Sequence, residues 1–429
     1  MSEPADHFEI VIVGSGPGGI AAAVTAAEAG RRVAIIDDSP FPGGQIWRNR
    51  GEKSKDAQAR HWIDRLQAAG EKIVRLAQSR VIANPAQNVL LVETPAGPRT
   101  VQWDSLILAT GARELFLPFP GWTLPGVVGA GGIQALVKQG LPVRGKRIVV
   151  AGTGPLLFAV ADLMKSSGAI VPMILEQTPA AKVNRFGLSL LKTPSKLLMA
   201  VAIRARLLGT TYATDSYPTA VTKTATGLRV DFIRNDRAQS IECDYLACGF
   251  DLIPNNEIAQ LLGCAVNDRG FAVVDSRQLT SVPSIYAIGE LTGIGGVDKA
   301  ILEGRIAVNA INGNAAAVQQ MAGEHKDALA FVDRLATTFA LRPEVLKLAK
   351  PDTIVCRCED VCYSAVANAF SNRDAKLQTR CGMGVCQGRV CGPALRRIRG
   401  GEPAQVRPPV FVTSVGNLIR PVETEAHTT

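Results

Sequence analysis

Gly14-Ser15-Gly16-Pro17-Gly18-Gly19 lies between an apolar run, Phe8 to Val13, and an alanine-rich stretch, and Gly152-Thr153-Gly154-Pro155-Leu156-Leu157 repeats the arrangement after Arg147 to Ala151. A buried strand that ends in such a turn and reverses into a helix is the first arm of a βαβ unit, because glycine admits the tight turn and the close approach of helix to strand. The first unit is predicted to run through a helix from Gly16 to Ala29 into a strand from Arg32 to Asp37, and the second through Leu156 to Ser167 into Ile170 to Leu175. Two such units predict an α/β protein with two Rossmann-like domains. At 429 residues, 47% of them hydrophobic, the chain is long enough to fill both cores and too long for one domain.

Later segments complete the plan. Val101 to Leu108 is an apolar strand ending in Ala109-Thr110-Gly111-Ala112, and Ser284 to Ile288 is a strand followed by a glycine turn and a helix from Val297, read as the chain returning to its first domain. The predicted division is residues 1–125 with 279–315 for the first nucleotide domain, 126–278 for the second, 316–350 for a helical connector, 351–402 for a cysteine-rich domain and 403–429 for an extended tail. The connector rests on Leu329, Val332, Leu335 and Phe339 at helical spacing, and the tail on Pro403, Pro408 and Pro409.

The formal charge of +9 is a weak pointer to partners, since Lys and Arg are scattered without aromatic interleaving and much of the excess gathers at Arg380, Arg389, Arg396, Arg397 and Arg399. Nucleic-acid binding is therefore not expected. Met1 to His7 is polar and acidic and runs straight into the first strand, so no signal peptide is predicted, and no apolar run is long enough for a membrane helix. The expected location is cytoplasmic, with at most a peripheral attachment at the inner face of the membrane. Nine cysteines in such a chain favour metal or redox use over a disulfide framework, and six of them fall between Cys356 and Cys391.

In the first turn, Gly14 suits the tight bend, Gly16 lets backbone approach a pyrophosphate, and Gly19 lets helix and strand pack closely. Phosphate oxygens would meet the amides and dipole at the helix start. Asp37, with Asp38 as fallback, ends the second strand where a carboxylate accepts ribose hydroxyls and disfavours a 2′-phosphate. In the second turn Leu157 takes the third glycine's place, which weakens a standard dinucleotide site, although Glu176 could still hold a ribose. NAD, another adenine nucleotide or no ligand remain open for this domain.

Pro42-Gly43-Gly44-Gln45, Ala109-Thr110-Gly111-Ala112 and Ser284-Ile285-Tyr286-Ala287-Ile288-Gly289-Glu290, in this order after the first glycine turn, resemble the two-dinucleotide-binding-domain flavoprotein superfamily that includes thioredoxin and glutathione reductases. The resemblance spans residues 8–312 and implies FAD, with contacts at Gly14, Gly16, Pro17, Gly18, Gly19, Asp37, Gly44, Gln45, Thr110, Gly111, Gly289 and Glu290. The chain departs from those reductases in having no cysteine before Cys243, so the flavin-facing redox disulfide is missing. Neither a His–Asp nor a paired-carboxylate constellation is evident near these motifs, and no catalytic acid or base is assigned.

Cys356-Arg357-Cys358 and Cys386-x4-Cys391 offer four thiolates from two turns, which suits a [2Fe–2S] cluster, with zinc as the alternative. Zinc ribbons generally show two CxxC pairs, which this chain lacks. The expected ligands are Cys356, Cys358, Cys386 and Cys391. Cys381 is the rival for one place, Cys362 is expected on a helix, and Cys243, Cys248 and Cys264 read as reduced core residues. Arg380 and Arg389 would add positive charge beside the thiolates.

Cys356-Arg-Cys-Glu-Asp-Val together with Thr379-Arg-Cys-Gly-Met-Gly-Val-Cys-Gln-Gly-Arg-Val-Cys-Gly-Pro393 resembles the small bacterioferritin-associated-ferredoxin-like [2Fe–2S] domain. More narrowly it is similar to the version fused to flavin subunits of multi-subunit amino-acid dehydrogenases and oxidases, among them those of opine oxidase, hydrogen cyanide synthase, D-hydroxyproline and proline dehydrogenases and heterotetrameric sarcosine oxidase. That resemblance implies an electron-transfer subunit with FAD and a [2Fe–2S] cluster. It would be fed by a partner flavoprotein subunit that oxidises a secondary amine such as hydroxyproline, proline or an opine, and a small ferredoxin-like subunit would be a further partner. Electrons would pass to a quinone, cytochrome or dye. A stand-alone NAD(P)H-dependent FAD oxidoreductase is the rival, and a non-enzymatic metal-binding sensor a more distant one.

Overall fold

In the computed structural model the described residues are 6–47, 56–401 and 405–419; Pro403, most of the N-terminal leader and residues 420–429 of the tail lie outside them. The chain forms two compact units, one of Met1–Arg113, Ile253–Val332 and Gln405–Thr429, the other of Glu114–Leu252 and Asp333–Ala404.

The first unit begins with β1 (Asp6–Val13), α1 (Pro17–Glu28) and β2 (Val33–Ile36). It continues through β3 (Ile73–Leu76), β4 (Arg80–Ala86), β5 (Val89–Thr94) and β6 (Gly97–Leu108), paired in the order β3-β2-β1-β6-β5-β4. β1, β2, β3 and β6 run parallel, so both sheet faces are covered, and Val33-Ala-Ile-Ile36 is buried at every position. Each such aliphatic side chain contributes roughly 1.5–3 kcal/mol of burial. α1 is buried along most of its length because its alanines and glycines let it lie between neighbours without a bulky contact surface.

In the second unit β7 (Val127–Gly129), β8 (Ile148–Gly152), α2 (Leu156–Ser166), β9 (Met173–Glu176), α3 (Ala180–Ser189), α4 (Pro194–Arg206), β10 (Thr211–Ala213) and β11 (Tyr245–Gly249) make the second Rossmann-like sheet. Its order is β10-β9-β8-β11-β7, parallel throughout. A three-stranded antiparallel meander, 216–243, precedes β11.

Back in the first unit, β12 (Ile285–Ala287) joins β6 in parallel, followed by α5 (Val297–Ile311) and α6 (Ala315–Thr338), whose residues from Asp333 on belong to the second unit. The connector expectation needs correcting here, because the helix stops at Thr338 and only a single 3₁₀ turn, Val345–Lys347, follows before residue 351. The cysteine segment opens with β13 (Ile354–Cys356) antiparallel to β14 (Val361–Cys362) and continues into α7 (Asn372–Thr379) and α8 (Cys391–Arg399). Ser371 caps α7 by accepting from the Asp374 amide, and Arg380 ends it in the left-handed conformation. Val355, Val361, Val366, Ala375 and Leu395 pack around Cys356, Cys381 and Cys391 as a small core of their own. The described part of the tail is tied to the first unit: Val410 N–H donates to the Ile82 carbonyl, and Thr413 and Asn417 donate to Glu93.

Candidate functional site

The first glycine turn is open where a phosphate would sit and crowded where backbone must cross. Gly14 has φ of +107°, and a Cβ there would stand 2.3 Å from the Ala109 carbonyl oxygen; one on Gly19 would stand 1.9 Å from the Gly14 oxygen. A Cβ on Gly16, by contrast, would meet nothing within 4 Å. Gly16 is the N-cap of α1, Pro17 fills the first helical turn, and no side chain caps the helix. The first-turn amides are therefore left to an outside acceptor, which is the chemistry a pyrophosphate supplies.

Asp37 braces this turn rather than standing apart from it. One carboxylate oxygen accepts from the Ser15 amide at 2.5 Å and its hydroxyl at 2.8 Å, and the other from the Ser39 amide at 2.7 Å. Gly44 adopts φ of +59°, where an added Cβ would lie 2.9 Å from the Gly16 Cα, while Gln45 lies exposed in the same turn. Gly43 N–H donates to the Ser15 carbonyl at 2.8 Å, so the Pro42-Gly43-Gly44-Gln45 loop closes against the glycine turn. Thr110 and Gly111 are held by Asn255. Its side-chain amide donates to the Thr110 carbonyl at 2.9 Å, its carbonyl accepts the Thr110 hydroxyl at 2.6 Å, and its own N–H donates to Gly111. Nothing around Asn255 in the sequence signals this role.

Gly289 and Glu290 follow β12. One oxygen of Glu290 accepts from the Gly295 and Gly296 amides, and the other, Oε2, is covered and has no partner. Burial pushes the Glu290 pKa up, against the opposing pull of the Gly296 amide and Lys299. An acceptor oxygen left without a donor fits a hydroxyl-bearing cofactor chain.

A buried charged group that the sequence reading did not single out, neither a His–Asp pair nor a carboxylate pair, lies near these motifs. Lys299 and Glu303, both on α5 and both buried, pair at 2.9 Å, and His325 of α6 reaches Glu303 at 3.1 Å. Glu303 also accepts from the Gly289 amide at 2.7 Å and the Thr292 hydroxyl at 2.9 Å, while Lys299 donates to the Gly289 carbonyl at 2.8 Å. Burial works against ionisation of Glu303, but Lys299 and the hydrogen bonds outweigh it and leave its pKa below the ordinary value. Spacing of four puts Lys299 and Glu303 on one helix face, a legible signal; His325 is brought in only by the packing of α6.

The second crevice, described within its own unit, is closed. Glu176 is fully buried and both its oxygens are used: one accepts from the Thr153 hydroxyl at 2.8 Å and the Thr178 amide at 2.9 Å, the other from the Gly154 amide at 2.7 Å. Glu176 therefore does not reach out for a ribose, contrary to the sequence expectation, and burial raises its pKa. The Phe339 ring covers Gly154, lying 3.6 Å from where a Cβ would be, and packs edge-on against Phe186 at 5.1 Å. Gln177 anchors the segment behind it, donating to the Ala340 carbonyl and accepting from the Arg342 amide. Leu157 is fully buried beneath the turn.

Three of the six clustered cysteines converge and two others pair with each other. The sulfurs of Cys356, Cys381 and Cys391 lie within 4.8 Å of one another, all buried. Cys358, which is exposed, and Cys386 form a second pair: the Cys386 amide lowers the Cys358 pKa, but burial and the Cys386 thiol outweigh it and leave it raised. At Cys386 burial opposes ionisation, yet the amides of Val390, Gly388 and Arg389 and the Cys358 thiol prevail and lower its pKa. Cys391 moves up, through its hydrogen bond with Cys381 and its burial. The Gly382 amide donates to the Cys356 sulfur at 3.4 Å. Cys381 thus stands beside two of the four expected ligands, and Cys362 lies outside the group. An all-thiol set cradled by amides is the donor chemistry of an iron–sulfur cluster. Cys243, Cys248 and Cys264 are buried thiols elsewhere, and burial pushes that of Cys243 up to about 11.

A glycine cradle at the head of a parallel sheet and a second, closed Rossmann-like sheet define a flavoprotein oxidoreductase, and here that fold carries a C-terminal cysteine cluster. The chain belongs to the pyridine nucleotide-disulphide oxidoreductase family, which it matches over residues 8–311. It is 32% identical to the HcnB subunit of hydrogen cyanide synthase from Pseudomonas protegens, over 89% of each chain. It is 30% identical to an opine oxidase subunit from Agrobacterium tumefaciens, over 94% of this chain and 88% of the relative. L-proline dehydrogenase from P. horikoshii shares the fold, with a TM-score of 0.66 at 17% identity over 98% of this chain and 81% of that one. Among the described residues no helix is long and apolar enough to cross a membrane.

Proposed function

We propose that this chain is the FAD- and [2Fe–2S]-carrying electron-transfer subunit of a heteromeric dehydrogenase acting on the CH–NH group of a secondary-amine amino acid, of the hydroxyproline, proline or opine type. A partner flavoprotein subunit oxidises the amino acid, and a quinone, cytochrome or dye receives the electrons. The observation that carries the reading is the grouping of the Cys356, Cys381 and Cys391 sulfurs, with Cys358 and Cys386 paired, in a chain that also has an open glycine cradle and a closed second crevice. A flavin exchanges electrons in pairs or singly and an iron–sulfur centre one at a time, so the two together convert one kind of flow to the other. The kinship with subunits of opine oxidase and hydrogen cyanide synthase supports the presence of a partner.

In this reading residues 1–125 and 279–315 hold FAD and residues 351–402 hold the cluster. Gly14, Gly16, Pro17, Gly18 and Gly19 present amides to the pyrophosphate, Asp37 orders that turn, and Gly44, Gln45, Thr110 and Gly111 border the cofactor. Gly289 and Glu290 meet its hydroxyl-bearing chain. Cys356, Cys358, Cys386 and Cys391 ligate the cluster, and Cys381 is the rival for one of these places. Phe339 and Glu176 weigh against an NAD(P)H-dependent reductase.

The test is anaerobic absorbance and electron paramagnetic resonance of the purified protein with its co-purifying subunits. D- and L-hydroxyproline, proline, octopine and glycine are added in turn, then NADH. Bleaching of the flavin and a [2Fe–2S] signal on one amino acid support the reading and name the substrate. Reduction by NADH alone would show a pyridine-nucleotide reductase instead.

A further inference from the structure

From Gln177 to Thr214 the chain carries six Lys and Arg and no Asp or Glu, and this is the stretch that forms α3 and α4. The same stretch holds Leu188, Leu191, Leu198, Met199, Val201 and Leu208 in the open, from 58% exposed at Val201 to 77% at Leu208. The cause lies in how α4 is anchored. Leu207, just past its end, is buried in the core of the second sheet and Ile203 packs against that core, so the helix is seated by that edge. Leu198, Val201, Ala205 and Leu208, spaced by three and four, form the outward stripe. This reverses the usual placing of apolar residues in a surface helix, and contiguous exposed apolar surface of this kind marks an interaction site.

We propose that the segment of α3 and α4 seats the protein on an anionic lipid surface. Charge complementarity selects that occupant. Lys182 and Arg185 are exposed on α3, and residues 177–214 carry no carboxylate to oppose them. Two of the other cations are already engaged inside the unit: Arg206 is bonded to Asp162, and Arg204 lies over the Tyr212 ring. The apolar stripe is aliphatic, without the exposed aromatic anchors that enrich the centres of protein interfaces. Leu, Val and Met entering the headgroup boundary while Lys and Arg stay at phosphate level is how an interfacial helix holds a bilayer. No helix need span the membrane for this. The inference does not depend on the cluster or on the identity of the amino acid.

The experiment is vesicle co-sedimentation of the full-length, flavin-loaded protein, using phosphatidylcholine vesicles with and without phosphatidylglycerol, at low and high salt. Wild type is expected to pellet with the anionic vesicles, weakly with the neutral ones, and less as salt rises. The triple variant Leu198→Gln/Val201→Gln/Leu208→Gln and the pair Lys182→Glu/Arg185→Glu should each lower the bound fraction roughly tenfold. Flavin absorbance and unfolding temperature should stay unchanged, since these side chains are exposed. The charge-matched pair Lys223→Glu/Arg237→Glu, on the meander, should bind as wild type does. Failure to pellet with anionic vesicles would overturn the proposal, as would equal losses in both charge pairs, which would show that net charge alone is at work. Absence of vesicle binding together with loss of a co-purifying subunit in the glutamine variant would give the face to a protein partner instead.

Discussion

Gly304 of α5 rests on the backbone of α1 at Gly18: a Cβ at Gly304 would stand 2.5 Å from the Gly18 carbonyl oxygen and 3.1 Å from the Ala22 amide nitrogen. The contact is backbone against backbone, so nothing flexible can yield. It brings α5, which carries Lys299 and Glu303, against the helix that starts at the glycine turn. Gly304→Ala is expected to destabilise the protein by roughly 1–3 kcal/mol through overpacking. Thermal unfolding followed by flavin fluorescence should show the cofactor released at lower temperature than in wild type.

Asp37 is expected to act by ordering the turn as much as by meeting a ribose. Asp37→Asn puts a side-chain amide where Ser15 and Ser39 supply donors, which costs on the order of 1–3 kcal/mol. The variant should purify with less FAD and bind added FAD more weakly, as read by quenching of flavin fluorescence. Affinity equal to wild type would show that the turn is ordered without it.

The Lys299–Glu303 pair sets a pH dependence whose sign reverses on mutation. In wild type the Glu303 pKa lies below the ordinary value, so its stabilisation is present above that value and is lost as pH falls through the lowered one. Lys299→Met leaves a buried carboxylate without its ammonium partner, held only by the Gly289 amide, the Thr292 hydroxyl and His325, at a cost of about 3–5 kcal/mol at neutral pH. Burial then holds the proton on Glu303, and stability should rise as pH is lowered toward ~5. Unfolding midpoints across that range check it; parallel curves for the two proteins would refute it.

Phe339 and Glu176 should keep pyridine nucleotide out. Calorimetric titration of the wild type with NADH is expected to show no saturable binding, and Phe339→Ala should admit weak binding while losing ~2 kcal/mol of stability from its lost packing. Tight binding to the wild type would mean the segment swings clear of Gly154.

On the proposed ligand set, single serine replacements of Cys356, Cys358, Cys386 and Cys391 should each abolish or reshape the resonance signal of the proposed [2Fe–2S] cluster. Cys362→Ser should leave it unchanged. Cys381→Ser is the discriminating variant: a retained signal keeps Cys381 as a neighbour, and a lost one makes it a ligand.

Periodicity and glycine placement were enough to read the two βαβ units, because a parallel strand buried on both faces must be continuously apolar and its turn into a helix must be small. Gly14, Gly16 and Gly19 differ in what surrounds them: backbone crowds Gly14 and Gly19, and Gly16 faces open space. The extent of the helical connector was not legible, because the apolar spacing that runs on to Phe339 serves packing over Gly154 rather than a continued helix.

The sequence by itself determined the α/β class, the position of the first glycine cradle and the gathering of cysteines near the C-terminal end, since each depends on local residue type and spacing. Tertiary structure alone decided that His325 reaches Glu303, that Asn255 holds Thr110, that Phe339 and Glu176 close the second crevice and that Cys381 sits with Cys356 and Cys391. Each of these joins residues from distant parts of a unit. No local pattern encodes a partner that arrives from another element.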